Sequence, residues 1–232
     1  MTIAEHIADS LYRRGVRYVY GIPGGPSIPL MEAFRNAGIE FILVSHESAG
    51  GIMADATARL TGVPGICHAT SGPGAANLAT AAGEALLDRS PLIILTTEIS
   101  DRMIKRTTQM NIDHQGLFRP VTKATFRMTR ENSWHLIDDA FSISLAEYPG
   151  PVHIGIPSDI ASAEIIAGTK PPADIIAGEP FNDVKKIEEI IESSSRPVIA
   201  AGLTAARHGI GNMLAEFLAE HSIPLILTPM AK

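Results

Sequence analysis

Apolar residues recur at helical spacing from the start of the chain. Ile3, Ile7, Ala8 and Leu11 form a stripe behind Thr2 and Glu5, a capping-box pair, and predict a first helix ending near Gly15. Residues 18–22 then read as a short strand, closed by Pro23, Gly24, Gly25 and Pro26, a turn in which backbone can approach a ligand closely. Ser27 is placed to cap a helix with Leu30, Met31 and Phe34 on its core side and Gly38 past its end. Residues 41–44 are continuously apolar, as in a strand buried on both faces, and Ala49, Ile52, Met53, Ala56 and Leu60 resume helical spacing at once.

The same unit repeats downstream. Residues 65–69 predict a strand, 70–77 a Gly-rich turn, 75–87 an Ala-rich helix suited to close packing against another helix or subunit, and 91–96 a strongly apolar strand. Residues 98–116 are polar, weakly periodic and longer than a usual connection, which marks a candidate active-site or interface loop. A strand over 121–128 follows, then a helix capped by Asn132 or Ser133 that carries Leu136, Ile137, Ala140 and Phe141, then a strand over 152–156. This alternation predicts an α/β fold, a doubly wound and mainly parallel sheet with helices on both faces, over residues 1–165. A Gly- and Pro-containing linker is expected over 166–182. Residues 183–232 add two helices and two strands, read as an incomplete second α/β unit of a longer chain.

Charge and composition narrow the function classes. The net charge of −6 and the scattered 19 Lys and Arg supply no basic footprint for nucleic acid. No apolar stretch approaches the roughly 18–20 residues that cross a bilayer, so a soluble, cytoplasmic protein without a membrane partner is expected. The single Cys67 lies in an apolar run and reads as a packed core thiol. His46-Glu47 lacks the second His of a zinc-binding HExxH, since Gly50 stands there, and the dispersed histidines predict no metal site. Gly72-Pro73-Gly74 with Asn77 matches a dinucleotide fingerprint only loosely. Glu47 stands where a strand hands over to a helix. A carboxylate there either decorates the first helical turn, where the helix dipole favours it, or faces a ligand at the carboxyl edge of the sheet, and local sequence leaves both open.

Several longer motifs occur in one order and spacing: PGG at 23–25, His46-Glu47 followed by MADATAR at 53–59, GVPGICHATSGPGAAN at 62–77, ALLDRSPLIIL at 85–95 and GPVHIGIPSDI at 150–160. Over residues 1–165 the chain resembles the N-terminal, pyrimidine-binding domain of thiamine-diphosphate enzymes of the acetolactate synthase, benzoylformate decarboxylase and pyruvate oxidase type. Residues 183–232 resemble the start of that family's central domain.

The resemblance implies that Glu47 is the catalytic carboxyl that contacts N1′ of the cofactor's aminopyrimidine and shares a proton with it. It implies that Gly24, Gly25, Thr70, Pro73 and Asn77 line the cofactor pocket beside Glu47, with Pro26, Gln109 and Met110 as substrate-pocket candidates. The implied cofactor is thiamine diphosphate with Mg2+, whose ligands the family carries on a C-terminal diphosphate-binding domain; FAD use is left open. The implied partners are a second copy, in a dimer or tetramer built through the pyrimidine-binding domains, and a small carbonyl substrate such as an α-keto acid. The implied activity is that of a decarboxylase or carboligase, with these 232 residues inactive alone. Gln109-Met110 and Thr97-Glu98 stand where acetolactate synthases commonly have Phe-Gln and Gly-Gln, so the resemblance carries thiamine-diphosphate use rather than acetolactate synthesis itself. Two alternatives are a pyrimidine-binding subunit of a split decarboxylase and a non-catalytic oligomerisation module.

Overall fold

A computed structural model describes residues 1–166, 168 and 183–231, with the side chain of Met230 excepted. The expected linker over 166–182 lies almost entirely outside the described residues. The chain divides into two compact units, Met1–Gly178 and Glu179–Lys232.

The first unit runs α1 (Ile3–Arg13), β1 (Tyr18–Ile22), α2 (Ile28–Ala37), β2 (Glu40–Leu43), α3 (Glu47–Thr61), β3 (Gly65–Ala69), α4 (Pro73–Leu87), β4 (Leu92–Glu98), α5 (Asp101–Ile104), α6 (His114–Phe118), β5 (Ala124–Arg127), α7 (Leu136–Leu145) and β6 (Pro151–Pro157). The strands form one six-stranded sheet in the order β2-β1-β3-β4-β6-β5. Every neighbouring pair is parallel. β3, β4 and β6 are buried along their whole length, which explains their unbroken apolar runs. Chain order reverses between β1 and β3, and such a switch point leaves a crevice outside the carboxyl ends of the strands.

Two cores flank this sheet. On one face Ile3, Ile7, Leu11, Phe34, Leu136 and Phe141 of α1, α2 and α7 pack with Ile66, Ile93, Leu95 and Ile154. On the other, Ala54, Leu78 and Ala82 of α3 and α4 and Phe118 of α6 pack with Cys67, Leu92 and Ile94. The Thr2–Glu5 capping box starts α1 as expected, with Glu5 N–H donating to Thr2 Oγ1 at 3.2 Å and Thr2 N–H to Glu5 Oε2 at 2.7 Å.

α3 departs from its predicted orientation. Ile52, Met53 and Leu60 face outward, Leu60 with 87% of its surface exposed, whereas the inward face is Gly50, Gly51, Ala54 and Ala58. Small residues win that face because the backbones approach too closely for anything larger. A Cβ on Gly51 would lie 2.4 Å from the Cβ of Ala81 in α4, and one on Gly65 would lie 1.9 Å from the carbonyl oxygen of Ala54. The close helix packing expected of the Ala-rich α4 is therefore made, and its partner is α3.

Other boundaries move for local reasons. The segment expected to be one loop over 98–116 contains α5 and the start of α6. The strand expected over 121–128 is confined to β5, after a 3-10 turn at Arg119–Val121. Asn132 and Ser133 do not cap α7: Asn132 Oδ1 accepts from Thr129 N–H at 2.8 Å and Ser133 Oγ donates to the Arg130 carbonyl, closing the preceding turn instead.

The second unit contains α8 (Val184–Ser193), β7 (Ile199–Ala201), α9 (Leu203–Arg207), α10 (Gly211–His221) and β8 (Leu225–Leu227), with β7 and β8 paired in parallel. No helix among the described residues is long and apolar enough to cross a membrane.

Candidate cofactor site

The turns that follow β1, β2 and β3 converge at the crevice. His46 ends the β2 connection in extended conformation, and its Nδ1 accepts the Ser48 N–H at 3.2 Å, so His46 caps α3. That cap places Glu47 on the first turn of α3 but turned inward, 8% exposed. Asn77 of α4 donates from Nδ2 to Glu47 Oε2 at 2.8 Å, and Ser48 Oγ donates back to the Asn77 carbonyl. The carboxylate is thus oriented from the neighbouring helix, and Oε1 is left on the side of Gly74, whose missing Cβ would come within 3.1 Å of it.

Thr70 closes the gap to the first turn. A Cβ on Gly24 would lie 2.4 Å from Thr70 Oγ1, and one on Gly74 would lie 3.4 Å from Thr70 Cγ2. Gly24, Glu47, Thr70, Gly74 and Asn77 therefore form one continuous wall, and Pro73, at the first position of α4, extends it. Gly25 differs: a Cβ there would meet nothing within 4 Å, so packing does not demand glycine at that position. Pro26 lies in the 3-10 turn Gly25–Ser27 and Gln109 is exposed. Met110 is drawn in, since the Cβ that Gly72 lacks would lie 2.9 Å from Met110 Cα.

Ser27, expected to cap α2, makes no such bond. Its Oγ accepts the Gly24 N–H at 3.1 Å and sits 2.7 Å from His68 Nε2, so a buried histidine on β3 braces the first pocket turn. Burial pushes the His68 imidazole down to about 4. Burial pushes the Cys67 thiol up, which makes it an inert core group, as its apolar run suggested.

Thr97 and Glu98 occupy the end of β4. Thr97 Oγ1 lies 3.3 Å from Thr70 Oγ1 and 3.4 Å from Ser71 Oγ. Glu98 is buried, accepts from Gln115 Nε2, and is paired with Arg127 Nε at 2.7 Å. A cavity of about 250 Å³ opens beside this pair under the loop that carries Met110. The dispersed histidines converge more than their spacing suggested, because Glu98, His114 and His153 bring their polar atoms within 4.8 Å of one another. These three come from β4, α6 and β6, and single histidines in apolar strands and a loop leave no periodic signal to find.

A parallel sheet whose reversal point gathers Gly-rich turns around an oriented, buried carboxylate defines a cofactor-binding α/β domain. The profile of the thiamine pyrophosphate enzyme, N-terminal TPP binding domain, matches residues 1–117, and the chain belongs to that family. It is 36% identical over 242 aligned residues to the probable acetolactate synthase large subunit of Methanocaldococcus jannaschii, covering 99% of this chain and 40% of that protein. It is 36% identical over 206 residues to the acetolactate synthase isozyme 1 large subunit of Escherichia coli, covering 87% and 37%. With the acetolactate synthase large subunit of Corynebacterium glutamicum the identity is 31% over 238 residues, covering 100% and 38%. The chain thus spans about two fifths of the length of the curated relatives it matches.

Proposed function

We propose that this chain supplies the proton-handling half of a thiamine-diphosphate site in an enzyme that acts on an α-keto acid or similar carbonyl, by decarboxylation or carboligation. The observation that carries this reading is the Glu47 carboxyl, buried at the sheet's switch point with Oε2 held by Asn77 and Oε1 beside Gly74. The donor set suits an aminopyrimidine. A ring nitrogen is an acceptor and a carboxyl that carries a proton is its complementary donor, while the glycines Gly24 and Gly74 let Thr70 close up beside Glu47. Thiamine diphosphate, when bound, supplies the carbanion chemistry.

The residues of this chain bind and orient. Gly24, Thr70 and Pro73 wall the pyrimidine, Gly25 leaves open space at the mouth, Asn77 sets the Glu47 rotamer, and Glu47 holds a proton at the ring nitrogen. Pro26, Gln109 and Met110 belong to the substrate side. Magnesium and the diphosphate are held by a further domain, so residues 1–232 alone do not turn over. A second copy covers the outward apolar face of α3, where Ile52, Met53 and Leu60 are exposed.

The test is Glu47→Gln in the complete protein, read as turnover and as hydrogen–deuterium exchange at C2 of bound thiamine diphosphate. Loss of a general acid–base group costs about 10²–10⁴-fold, and that loss in both readouts is expected. Turnover within twofold of the parent would end the proposal and favour a purely oligomerising module. The second compact unit after residue 178 counts against the split-subunit alternative, which needs only the first.

A further inference from the structure

Behind the turn that follows β3 lies a run of buried polar groups with a definite direction. Gly72, left-handed at φ 68° and immediately before α4, donates its backbone N–H to His114 Nε2 at 3.3 Å. An N–H can only donate, so Nε2 is the acceptor and the neutral ring carries its proton on Nδ1. His114 Nδ1–H then donates to Thr96 Oγ1 at 2.8 Å. Thr96 has its own proton for His153 Nε2, also at 2.8 Å, which leaves His153 to donate from Nδ1 to Thr125 Oγ1 at 2.7 Å. Residues from β4, β5, β6 and α6 thus build one directed chain that ends on a backbone amide of the pocket.

The chain is dry and closely packed. Thr96 and His153 are fully buried, His114 is 2% exposed, and the Phe118 ring stacks on His153 with centroids 4.1 Å apart. Burial holds both imidazoles below their ordinary value, and His114 lowers His153 further, so both rings stay neutral. The proximity of Glu98, His114 and His153 also suggests a divalent cation. Two observations oppose that reading. The nitrogens that would ligate it, His114 Nδ1 and His153 Nε2, are both engaged by Thr96, and the Arg127 guanidinium stands 2.7 Å from Glu98 with its positive charge.

We propose that His114 is a positioning residue for the pocket, clamping the Gly72 amide so that Pro73 and Gly74 face Glu47, with Thr96, His153 and Thr125 locking its tautomer. Gly72 sits two residues before Gly74, whose backbone borders Glu47 Oε1, and five before Asn77, which holds Oε2. A slack turn there shifts both, and a misplacement of about 1 Å is enough to cost on the order of 100-fold in catalysis. For the identity of the ligand, this inference rests on the thiamine-diphosphate reading.

The test compares His114→Gln with His114→Asn. Gln carries an acceptor oxygen out to the position of Nε2, whereas Asn reaches only as far as Nδ1 and leaves Gly72 N–H without its acceptor. Three readouts apply to the full chain: imidazole ¹⁵N shifts of the parent, hydrogen exchange at the Gly72 amide, and the thiamine-diphosphate dissociation constant of the complete protein. Expected are an Nδ1–H tautomer at His114, Gly72 exchange about tenfold faster in the Asn variant than in the Gln variant, and a parallel rise of about tenfold in the dissociation constant. An Nε2–H tautomer, equal exchange in both variants, or stoichiometric zinc retained on the parent after purification would overturn the proposal. The tautomer is read on the parent, so it decides even if His114→Asn fails to fold. If the parent binds no thiamine diphosphate, the proposed function falls while the tautomer and exchange still judge the clamp.

Discussion

Acid should begin to destabilise the first unit above the pH range in which its carboxylates protonate, and His68 is the group through which this can be measured. The imidazole is fully buried on β3, moves from 6.5 to about 4 on folding, and is tied to the Ser27–Gly24 turn. The unfolded chain therefore binds a proton that the folded chain refuses. Stability is complete above pH 6.5, falls as pH drops through the unfolded value, and levels off only below the folded one. At pH 5 the shift from 6.5 to about 4 corresponds to a loss of about 2 kcal/mol, rising to about 3 kcal/mol below pH 4. His114 and His153 are lowered as well and act in the same direction. Trp134 is the single tryptophan of the chain and lies in the first unit, so its fluorescence in urea titrations isolates that unit. Between pH 7.5 and 5 the parent should lose at least about 2 kcal/mol, and His68→Gln, which keeps a partner for Ser27, should lose about 2 kcal/mol less than the parent. An unchanged pH dependence in His68→Gln would refute the assignment.

Other perturbations test the packing around the site. Gly24→Ala drives a methyl to 2.4 Å from Thr70 Oγ1 and should cost about 1–3 kcal/mol by urea titration, whereas Gly25→Ala, with open space, should stay within about 0.5 kcal/mol. Equal effects at the two positions would contradict the described turn. Gly51→Ala pushes α3 off Ala81 and should cost about 1–3 kcal/mol in the same assay, with Ala81→Gly added in the same chain recovering part of it. Sedimentation should show a dimer that Leu60→Asp weakens, since Leu60 is 87% exposed on the outward face of α3; a parent monomer at high concentration would contradict this.

Most of the sheet was legible because its central strands are buried on both faces and so read as unbroken apolar runs, 92–95 above all. The grouping of Glu47, Thr70 and Asn77 in one candidate wall was legible for a different reason: they sit in long motifs whose order and spacing are specific. What failed was the inference from apolar spacing to burial in α3. The stripe Ile52, Met53, Leu60 is real, yet it points outward, because the inner face is set by how near two backbones come and glycine and alanine carry little hydrophobic signal. The histidine brace was invisible as well. Ser27, His68, His114 and His153 are separated by tens of residues, and only the register of β3, β4 and β6 brings them to the turns they hold.

The tight seat of α3 also bears on how this domain can change. With Gly51 against the Ala81 methyl and Gly65 against the Ala54 carbonyl, the helix that carries Glu47 is seated without long side chains that substitution could thin or thicken. Mutational drift there has almost no neutral steps. Room for change lies instead in the segment between β4 and α6, where Arg102, Lys105, Arg106 and Gln109 are exposed. A substitution scan should therefore find the exposed positions 102–106 far more permissive than Gly51 or Gly65.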